Sequence, residues 1–261
     1  MKPYNYLHVF FIIIIIIYLL SLLTKSFFFK NPNLNIPIYY INMDKHTKRN
    51  NFMKRQLKYI NYKRVPGIEF NKQNKYKIDV KSKFKNKVLK DSEIACTLAH
   101  LNTIEQFLKD KHDYALICED DANFELQNYW PYSLKDIIRN LNNKDINWTT
   151  CMIYHNYNLN NKKGLKKVVE EDNLYGTVAY LISRNYALKI KQMTKNFTIF
   201  RNDINTDPRA DYFLYYNKHS NPYINIPALI NLNINTTSSI HFEHDDDNYK
   251  VSNMIKEYIK S

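Results

Sequence analysis

Glycine is scarce in this chain, with 3 glycines among 261 residues, against about 7% in average proteins. Three widely separated glycines cannot form a G-x-G-x-x-G dinucleotide loop, a Walker A phosphate loop or a collagen repeat. These three classes are therefore excluded. If the chain binds phosphate groups, it must hold them by chemistry other than the backbone amides of a glycine-rich loop.

Cysteine is equally scarce, and its spacing excludes further classes. Cys96, Cys118 and Cys151 are odd in number and far apart, so the chain has neither a disulfide framework nor a zinc knuckle. Cys96 and Cys118 lie in apolar runs, which predicts small buried side chains. A single disulfide is compatible with this count if the domain lies in an oxidising compartment.

The charge balance is strongly positive, at +13. The chain holds 31 lysines and 35 asparagines, both encoded by A/T-rich codons, so part of this charge reflects codon usage. A basic surface suits nucleic acid, an anionic membrane or an anionic substrate such as a nucleotide-sugar. Because the sequence has no zinc spacing, helix-turn-helix pattern or aromatic RNA-binding motif, we expect no nucleic-acid partner.

The N-terminal region contains one long apolar run. No residue between Lys2 and Lys25 is charged, and the 17 residues from Leu7 to Leu23 form about 25 Å of helix, the lower limit for spanning a bilayer. The run is longer than the apolar region of a signal peptide, about 7–15 residues. We therefore predict a single-pass signal-anchor in residues 1–25 and a stem in residues 26–35. A cleaved signal peptide and a buried core helix are the open alternatives.

The remaining chain, residues 36–261, is predicted to be one α/β domain. Apolar, β-branched segments alternate with segments of helical periodicity, which indicates a mostly parallel sheet flanked by helices. In such sheets, ligands bind beyond the carboxyl ends of the strands. Strands are predicted at 36–43, 114–118, 150–154, 177–183 and 222–230, and helices after Thr47, at 92–109 with Ser92 as its cap, and at 184–193, with a lysine-rich loop at 71–90.

Three adjacent acids follow the predicted strand at 114–118 and are the sharpest local signal. In an extended segment, Glu119 and Asp121 point the same way. Carboxylates this close repel one another, which favours a shared cation. Oxygen ligands favour Mg²⁺ or Mn²⁺, and phosphate oxygens commonly complete the coordination of these ions. An acidic helix cap or a solvated turn is the alternative interpretation of the same three residues.

Two histidines near the C-terminus are further candidate ligands. His241 follows a predicted extended segment, and His244 lies three residues later, before the acidic run 245–247. A single histidine could complete a carboxylate metal site. The alternative is a solvated polar tail.

Five short segments, taken in order, resemble glycosyltransferase family 25, which includes lipooligosaccharide and collagen galactosyltransferases. The resemblance spans roughly residues 36–240. Ser92, Ala95 and Ala99 replace the family's Gly, Gly and Ser. The five segments are IYYINMDKHTKRNNFMKRQL (38–57), SEIACTLAHLNTIEQFL (92–108), YALICEDDANF (114–124), YGTVAYLISRNYALKI (175–190) and RADYFLY (209–215).

This resemblance implies a GT-A-type glycosyltransferase fold, a nucleotide-sugar donor and inversion at the anomeric carbon. It implies a metal ion, Mn²⁺ or Mg²⁺, with Asp121 as the first candidate ligand and Glu119 as a further one. His241 is a third candidate ligand from its position in the sequence alone. Asp211 is the candidate base, with a helix N-cap as its alternative role. The residues expected near the nucleotide-sugar are Asn42, Asp44, Arg49, Glu93, His100, Glu119 and Asp120. His100 shares a helix with core residues, so a structural histidine is an equal alternative.

The function expected from this resemblance is transfer of a hexose, galactose or glucose, from a UDP-sugar to a glycan or protein hydroxyl. The protein is expected at a membrane through its N-terminal helix, with the catalytic domain in the lumen if the source is a eukaryote or a virus. A non-catalytic glycan-binding or structural protein on the same scaffold is the alternative.

Overall fold

The fold is taken from a computed structural model. It describes residues 10–18, 33–69, 90–155, 163–172, 174–194 and 209–233, together with residues 249, 252–253 and 255–257. The predicted lysine-rich loop at 71–90 and the candidate ligand His241 lie outside these residues, apart from Lys90.

Strands and helices alternate along most of the described chain. The strands are β1 (Ile38–Asn42), β2 (Tyr62–Pro66), β3 (Tyr114–Glu119), β4 (Ala122–Asn123), β5 (Thr150–Met152), β6 (Gly164–Lys167), β7 (Ala179–Ser183), β8 (Tyr223–Ile226) and β9 (Asn231–Leu232). The helices are α1 (Thr47–Gln56), α2 (Asp91–Lys109), α3 (Leu134–Lys144), α4 (Arg184–Met193) and α5 (Ala210–Tyr215), with 3₁₀ turns at Gln127–Tyr129 and Glu170–Asp172.

The main sheet has the strand order β2-β1-β3-β7-β5-β8-β6. β1 pairs in parallel with β2 and β3, and β5 pairs in parallel with β8. β7 runs antiparallel between β3 and β5, and β6 runs antiparallel at the edge beside β8. Five of the seven strands therefore point the same way, which confirms the predicted mostly parallel α/β sheet.

Helices cover both faces of this sheet because side chains alternate along each strand. Ile38 and Tyr40 of β1 pack in one core with residues of α1 and α3. Tyr39, between them, packs in a second core with residues of α2, α4 and α5. The sheet therefore has a buried layer on each side.

Helix α2 carries the predicted apolar face. Ile94, Leu98, Leu101 and Leu108 are all buried, as their spacing indicated. The predicted cap is wrong by two residues: the N-cap is Lys90, whose backbone N–H donates to the carboxylate of Glu93 at 2.8 Å. Ser92 instead lies inside the first turn, because Glu93 is the residue that satisfies the free backbone donor.

The cap of α1 also differs from the prediction. The helix begins at Thr47, and its N-cap is His46, which makes no side-chain capping hydrogen bond. Thr47 is thus a helical residue rather than the cap. The predicted helix at 184–193 is confirmed as α4, where the Ser183 hydroxyl accepts from the Tyr186 N–H at 3.3 Å.

Several elements were missed in the sequence, among them β2, α3 and β6. Helix α3 begins after Ser133, whose N–H donates to Asp136 at 3.0 Å while its hydroxyl accepts from the Asp136 N–H at 3.2 Å. This reciprocal pair is a capping box, and the S-x-x-D pattern was its sequence signal. Gly164 begins β6 with φ of 107° rather than lying in a loop.

The N-terminal apolar run is described only in part. Residues 10–18 form a helix whose side chains are all exposed. Among the described residues, no helix has both the length and the apolar character that a membrane span requires. The signal-anchor therefore stays a prediction.

Candidate active site

The candidate site lies at the carboxyl edge of the main sheet. β1 ends at Asn42 and β3 ends at Glu119, and the two strands are neighbours, with Ile41 opposite Glu119. β7 runs the other way, so Thr177 and Val178, just before its start, reach the same edge, where the Val178 carbonyl accepts from the Glu119 N–H at 2.9 Å. This is where ligands bind in open α/β sheets.

Glu119, the first acid of the triplet, faces helix α2 and the segment before β7. Its Oε1 accepts from the Thr177 hydroxyl at 2.6 Å. The same oxygen lies 3.6 Å from Nε2 of His100, which is beyond hydrogen-bond length. The buried His100 is held on its other side, where Nδ1 lies 3.0 Å from the Tyr180 hydroxyl.

Asp120 and Asp121 turn toward α1 instead. A terminal nitrogen of Arg49 lies 2.7 Å from Asp120 Oδ1 and 2.6 Å from Asp121 Oδ2. Asp120 also accepts from the Asn42 amide at 2.6 Å. The chain turns at residues 120–121 rather than continuing as an extended strand, and Arg49 brings Asp120 and Asp121 together. Glu119 is still close enough to raise the pKa of Asp121.

The chain after the triplet is held by the segment around β9. The Asn233 N–H donates to the Asp121 carbonyl oxygen at 2.8 Å. Directly afterwards, β4 pairs with β9 in an antiparallel two-stranded sheet. The turn that carries Asp120 and Asp121 is thus anchored on both sides, by β3 before it and by β4 after it.

The three carboxyl groups differ in acidity. Burial raises the pKa of Asp121 to about 7, and repulsion from Glu119 adds to this effect while Arg49 opposes it. Burial also raises the pKa of Asp120, against the charge of Arg49 and the amide of Asn42. Burial acts the same way on Glu119, but His100, Thr177 and Arg49 together hold its pKa below the usual value.

Arg64 of β2 orients the end of β1. Its Nε donates to Asn42 Oδ1 at 2.9 Å, and a terminal nitrogen donates to the Asn42 carbonyl at 3.0 Å. The same guanidinium pairs with Asp44, whose side chain is 83% exposed. Arg64 therefore leaves the Asn42 amide nitrogen free to hold Asp120.

A cleft of about 450 Å³ opens beside the triplet. One wall is a single face of α2, and the other is formed by the segments that follow β1 and β2. The residues that line the cleft are Ile41, Asn42, Met43, Lys45, His46, Arg49, Gly67, Ile68, Glu69, Asp91, Ser92, Ala95, Cys96, Ala99, His100, Glu119 and Asp120.

Gly67 packs tightly at the wall formed by the segment after β2. A Cβ at this position would lie 2.8 Å from Met43 Cγ and 3.1 Å from the Met43 backbone nitrogen. The Gly67 N–H donates to the Asn42 carbonyl at 2.9 Å. Glycine is needed here for close approach of the two segments, not for backbone conformation.

Asp211 lies in the first turn of α5 and is joined to the triplet through the segment before β7. Burial raises the pKa of Asp211, while hydrogen bonds from the backbone of Tyr212 and Gly176 oppose this. Gly176 has φ of 101°, and its carbonyl accepts from the Tyr215 hydroxyl at 3.2 Å. Because Gly176 contacts α5 and Thr177 contacts Glu119, two consecutive residues connect Asp211 with the acidic triplet.

Comparison with protein families agrees with this arrangement. The family model described as glycosyltransferase family 25 (LPS biosynthesis protein) matches residues 35–207. The chain belongs to glycosyltransferase family 25. No curated protein matches the chain closely enough to count as a relative. Membership in family 25 implies glycosyltransferase activity, with a nucleotide-sugar donor and an acceptor as partners.

The family 25 match contains the cleft and the triplet. Four of the five segments that resemble the family lie within 35–207, and the fifth, at 209–215, lies just beyond it. Ser92, Ala95 and Ala99, which replace the family's Gly, Gly and Ser, all line the cleft on α2.

The structure brings most of the predicted site residues together. Asn42, Arg49, His100, Glu119 and Asp120 line the cleft, and Asp121 joins them through Arg49. The others lie elsewhere: the Glu93 carboxylate caps α2, Asp44 is exposed, Asp211 is a helical residue after the N-cap Arg209, and His241 is outside the described residues.

Some contact residues were missed in the sequence. Thr177 holds Glu119 and Tyr180 holds His100. Both lie in YGTVAYLIS, a segment that we had interpreted as a core strand with no site residue. Arg64 holds Asn42 and Asp44 from β2, and no local pattern in the sequence marks it.

Proposed function

We propose that the chain is a metal-dependent, inverting hexosyltransferase that moves galactose or glucose from a UDP-sugar to a glycan or protein hydroxyl. The observation that carries this proposal is the acidic triplet at the edge of the 450 Å³ cleft. The proposal is finer than family membership, because family 25 fixes neither the metal nor the two substrates.

The acids fit a divalent cation. Asp121 Oδ1 is buried and has no hydrogen-bond partner among the described residues. Its carboxyl group has a pKa raised to about 7, so a nearby divalent cation would favour its ionised form. Mn²⁺ or Mg²⁺ suits oxygen ligands, and Asp121 and Glu119 would hold it. When bound, such an ion neutralises the charge that develops on the leaving diphosphate.

The cleft is also suited to a diphosphate without a glycine loop. Lys45, two residues before α1, and Arg49, in the first turn of α1, both line it. Fixed cations next to a pocket attract and orient anionic ligands. Arg49 already bridges Asp120 and Asp121, so its charge is positioned beside the proposed metal ligands.

Asp211 is the proposed base. Burial raises its pKa, which makes its carboxylate a stronger proton acceptor. In a direct displacement, the acceptor oxygen forms a bond to the anomeric carbon as the bond to the diphosphate breaks. The hydroxyl proton moves to Asp211, and the configuration at the anomeric carbon inverts.

We also propose that residues 7–23 anchor the enzyme in a membrane, with the catalytic domain in the lumen if the source is a eukaryote or a virus. The uncharged sequence between Lys2 and Lys25 supports this proposal, as does the exposed apolar helix at 10–18. Extraction of the protein from membranes by alkaline carbonate without detergent would contradict the anchor.

Release of UDP tests the proposed reaction. We expect UDP release from UDP-galactose or UDP-glucose in the presence of Mn²⁺, and a loss on the order of 100-fold in Asp121→Ala. Asp113→Ala is the matched control, because Asp113 is an exposed acid just before β3. Failure of every donor would contradict the enzyme. Hexose binding without turnover would instead select a glycan-binding protein on the same scaffold.

A further inference from the structure

Three side chains with metal-binding atoms converge at the inner end of the cleft. Cys96 and His100 lie one turn apart on the same face of α2, and Glu119 approaches from the end of β3. One ligand atom from each of the three lies within 4.8 Å of the other two. This cluster holds one residue of the acidic triplet, but its sulfur and nitrogen atoms give it different chemistry.

His100 is oriented like a metal ligand. Its side chain is 2% exposed, and Nε2 has no hydrogen-bond partner among the described residues. Nδ1 lies 3.0 Å from the Tyr180 hydroxyl. A metal-ligating histidine is usually held through its second nitrogen in this way, which fixes the ring and points the other nitrogen at the ion. The buried Nε2, 3.6 Å from the Glu119 carboxylate, is therefore positioned to coordinate a cation together with that carboxylate.

The spacing suits a tetrahedral ion. Ligand atoms about 2.1 Å from a tetrahedral centre lie about 3.4 Å from each other. His100 Nε2 and Glu119 Oε1 are 3.6 Å apart, so they need only a small movement to share an ion. The Thr177 hydroxyl, 2.6 Å from the same Glu119 oxygen, supplies the hydrogen bond that ligating carboxylates commonly receive.

We propose that Cys96, His100 and Glu119 form a binding site for a zinc-type divalent cation, with the fourth position open to the cleft. Three protein ligands and one open position are the pattern of accessible zinc sites. Sulfur and imidazole ligands favour Zn²⁺ and Co²⁺ over Mg²⁺ or Mn²⁺, which prefer oxygen. The site is thus distinct in metal preference from the one proposed at Asp121.

Binding displaces one proton. Burial raises the pKa of the Cys96 thiol, so the thiol is neutral before a cation binds. On binding, the sulfur–hydrogen bond breaks, the proton leaves to solvent, and the thiolate sulfur coordinates the cation with no change in oxidation state. Coordination is strong enough to deprotonate a thiol in this way.

Co²⁺ titration of the metal-free, reduced full-length protein tests the site. Cobalt replaces zinc in such sites and gives a thiolate-to-cobalt absorption band that oxygen-only sites lack. We expect this band to saturate at one equivalent and to disappear when Zn²⁺ is added. Cys96→Ala should abolish it, and His100→Gln should weaken Co²⁺ binding on the order of 10-fold.

Cys151→Ala is the matched control, because Cys151 is a free, buried cysteine of β5 outside the cleft. It should retain the band, as should Asp121→Asn, which leaves all three ligands in place. Far-ultraviolet circular dichroism shows whether each variant is folded. Absence of the band in the wild-type protein, or its persistence in folded Cys96→Ala, would overturn the inference.

Loss of the band in folded Asp121→Asn would also overturn the inference, because it would make Asp121 a required ligand of the cation. The inference does not depend on the proposed hexosyl transfer. A protein that releases no UDP but gives the band contradicts the proposed function alone. A protein that releases UDP and gives no band contradicts the zinc-type site alone.

Discussion

Thr177 holds Glu119 through one buried hydrogen bond of 2.6 Å. Thr177→Val removes this bond with little change in volume, and the loss of a bond to a charged group costs about 2 kcal/mol. Because Thr177 lowers the pKa of Glu119, Thr177→Val should raise that pKa. UDP release that needs ionised Glu119 falls as the pH drops through the folded-state pKa of Glu119. In Thr177→Val this decrease, the acidic limb of the pH profile, should therefore occur at higher pH.

The pH profile of UDP release, measured from pH 4 to 8, checks this prediction. Thr177→Ser keeps the hydroxyl and should retain the wild-type acidic limb. An unchanged limb in Thr177→Val would show that the threonine hydroxyl does not set the ionisation of Glu119.

The raised pKa of Asp121 predicts that the stability of the folded protein decreases with rising pH. Its pKa in the folded protein is raised to about 7, so the folded state keeps a proton that the unfolded chain releases near pH 4. The free energy of unfolding should therefore fall as the pH rises from about 4 to 7, and then level off. Asp121→Asn, which cannot ionise, should remove this decrease.

Urea unfolding of metal-free protein at several pH values measures the effect. Asp113→Asn is the control, because Asp113 is exposed and should leave the slope between pH 4 and 7 unchanged. Equal slopes for Asp121→Asn and wild type would contradict an Asp121 pKa near 7.

At the scale of elements, the segment before β7 joins helix α5 to the sheet edge. Gly176 and Gly164 have φ of 101° and 107°, and a Cβ at either position meets no atom closer than 3.9 Å. Alanine at either site should therefore cost only backbone strain, about 1 kcal/mol. The backbone of Gly176 contacts Asp211, and Gly176 directly precedes Thr177. Gly164 begins β6 and does not line the cleft.

The two alanine variants should separate stability from activity. We expect Gly176→Ala and Gly164→Ala to lose similar free energy of unfolding, measured by urea titration. Only Gly176→Ala should lose UDP release, on the order of 10-fold or more, because small displacements of catalytic groups are costly. Equal activity in the two variants would mean that the segment before β7 does not position Asp211 and Thr177.

The periodicity of the sequence predicted the type of an element more reliably than its first and last residues. The apolar spacing in α2 and the apolar run of β3 predicted both elements and placed Glu119 at a strand end. The caps at Thr47 and Ser92 were wrong, because Ser and Thr preference is only statistical and Glu93 competed for the donor at Lys90. The turn at Asp120 and Asp121 was the alternative interpretation of the triplet, because aspartate favours turns and also occurs directly after strands.

At the scale of the whole molecule, contacts between distant segments could not be predicted from local pattern. Thr177 reaches Glu119 because β7 is inserted antiparallel beside β3, and Tyr180 reaches His100 for the same reason. The strand order that places β7 there is a property of the packed sheet. Family resemblance identified the segment that contains Thr177 and Tyr180, but neither residue as part of the site.

The central claim is that the cleft beside the acidic triplet holds the donor's diphosphate together with a metal ion. A crystal structure of the protein with UDP and Mn²⁺ tests it most directly, because the anomalous signal locates the manganese. We predict the diphosphate between α2 and the segment after β1, with manganese in coordination distance of Asp121 or Glu119. UDP bound outside this cleft, or manganese away from both carboxylates, would contradict the claim.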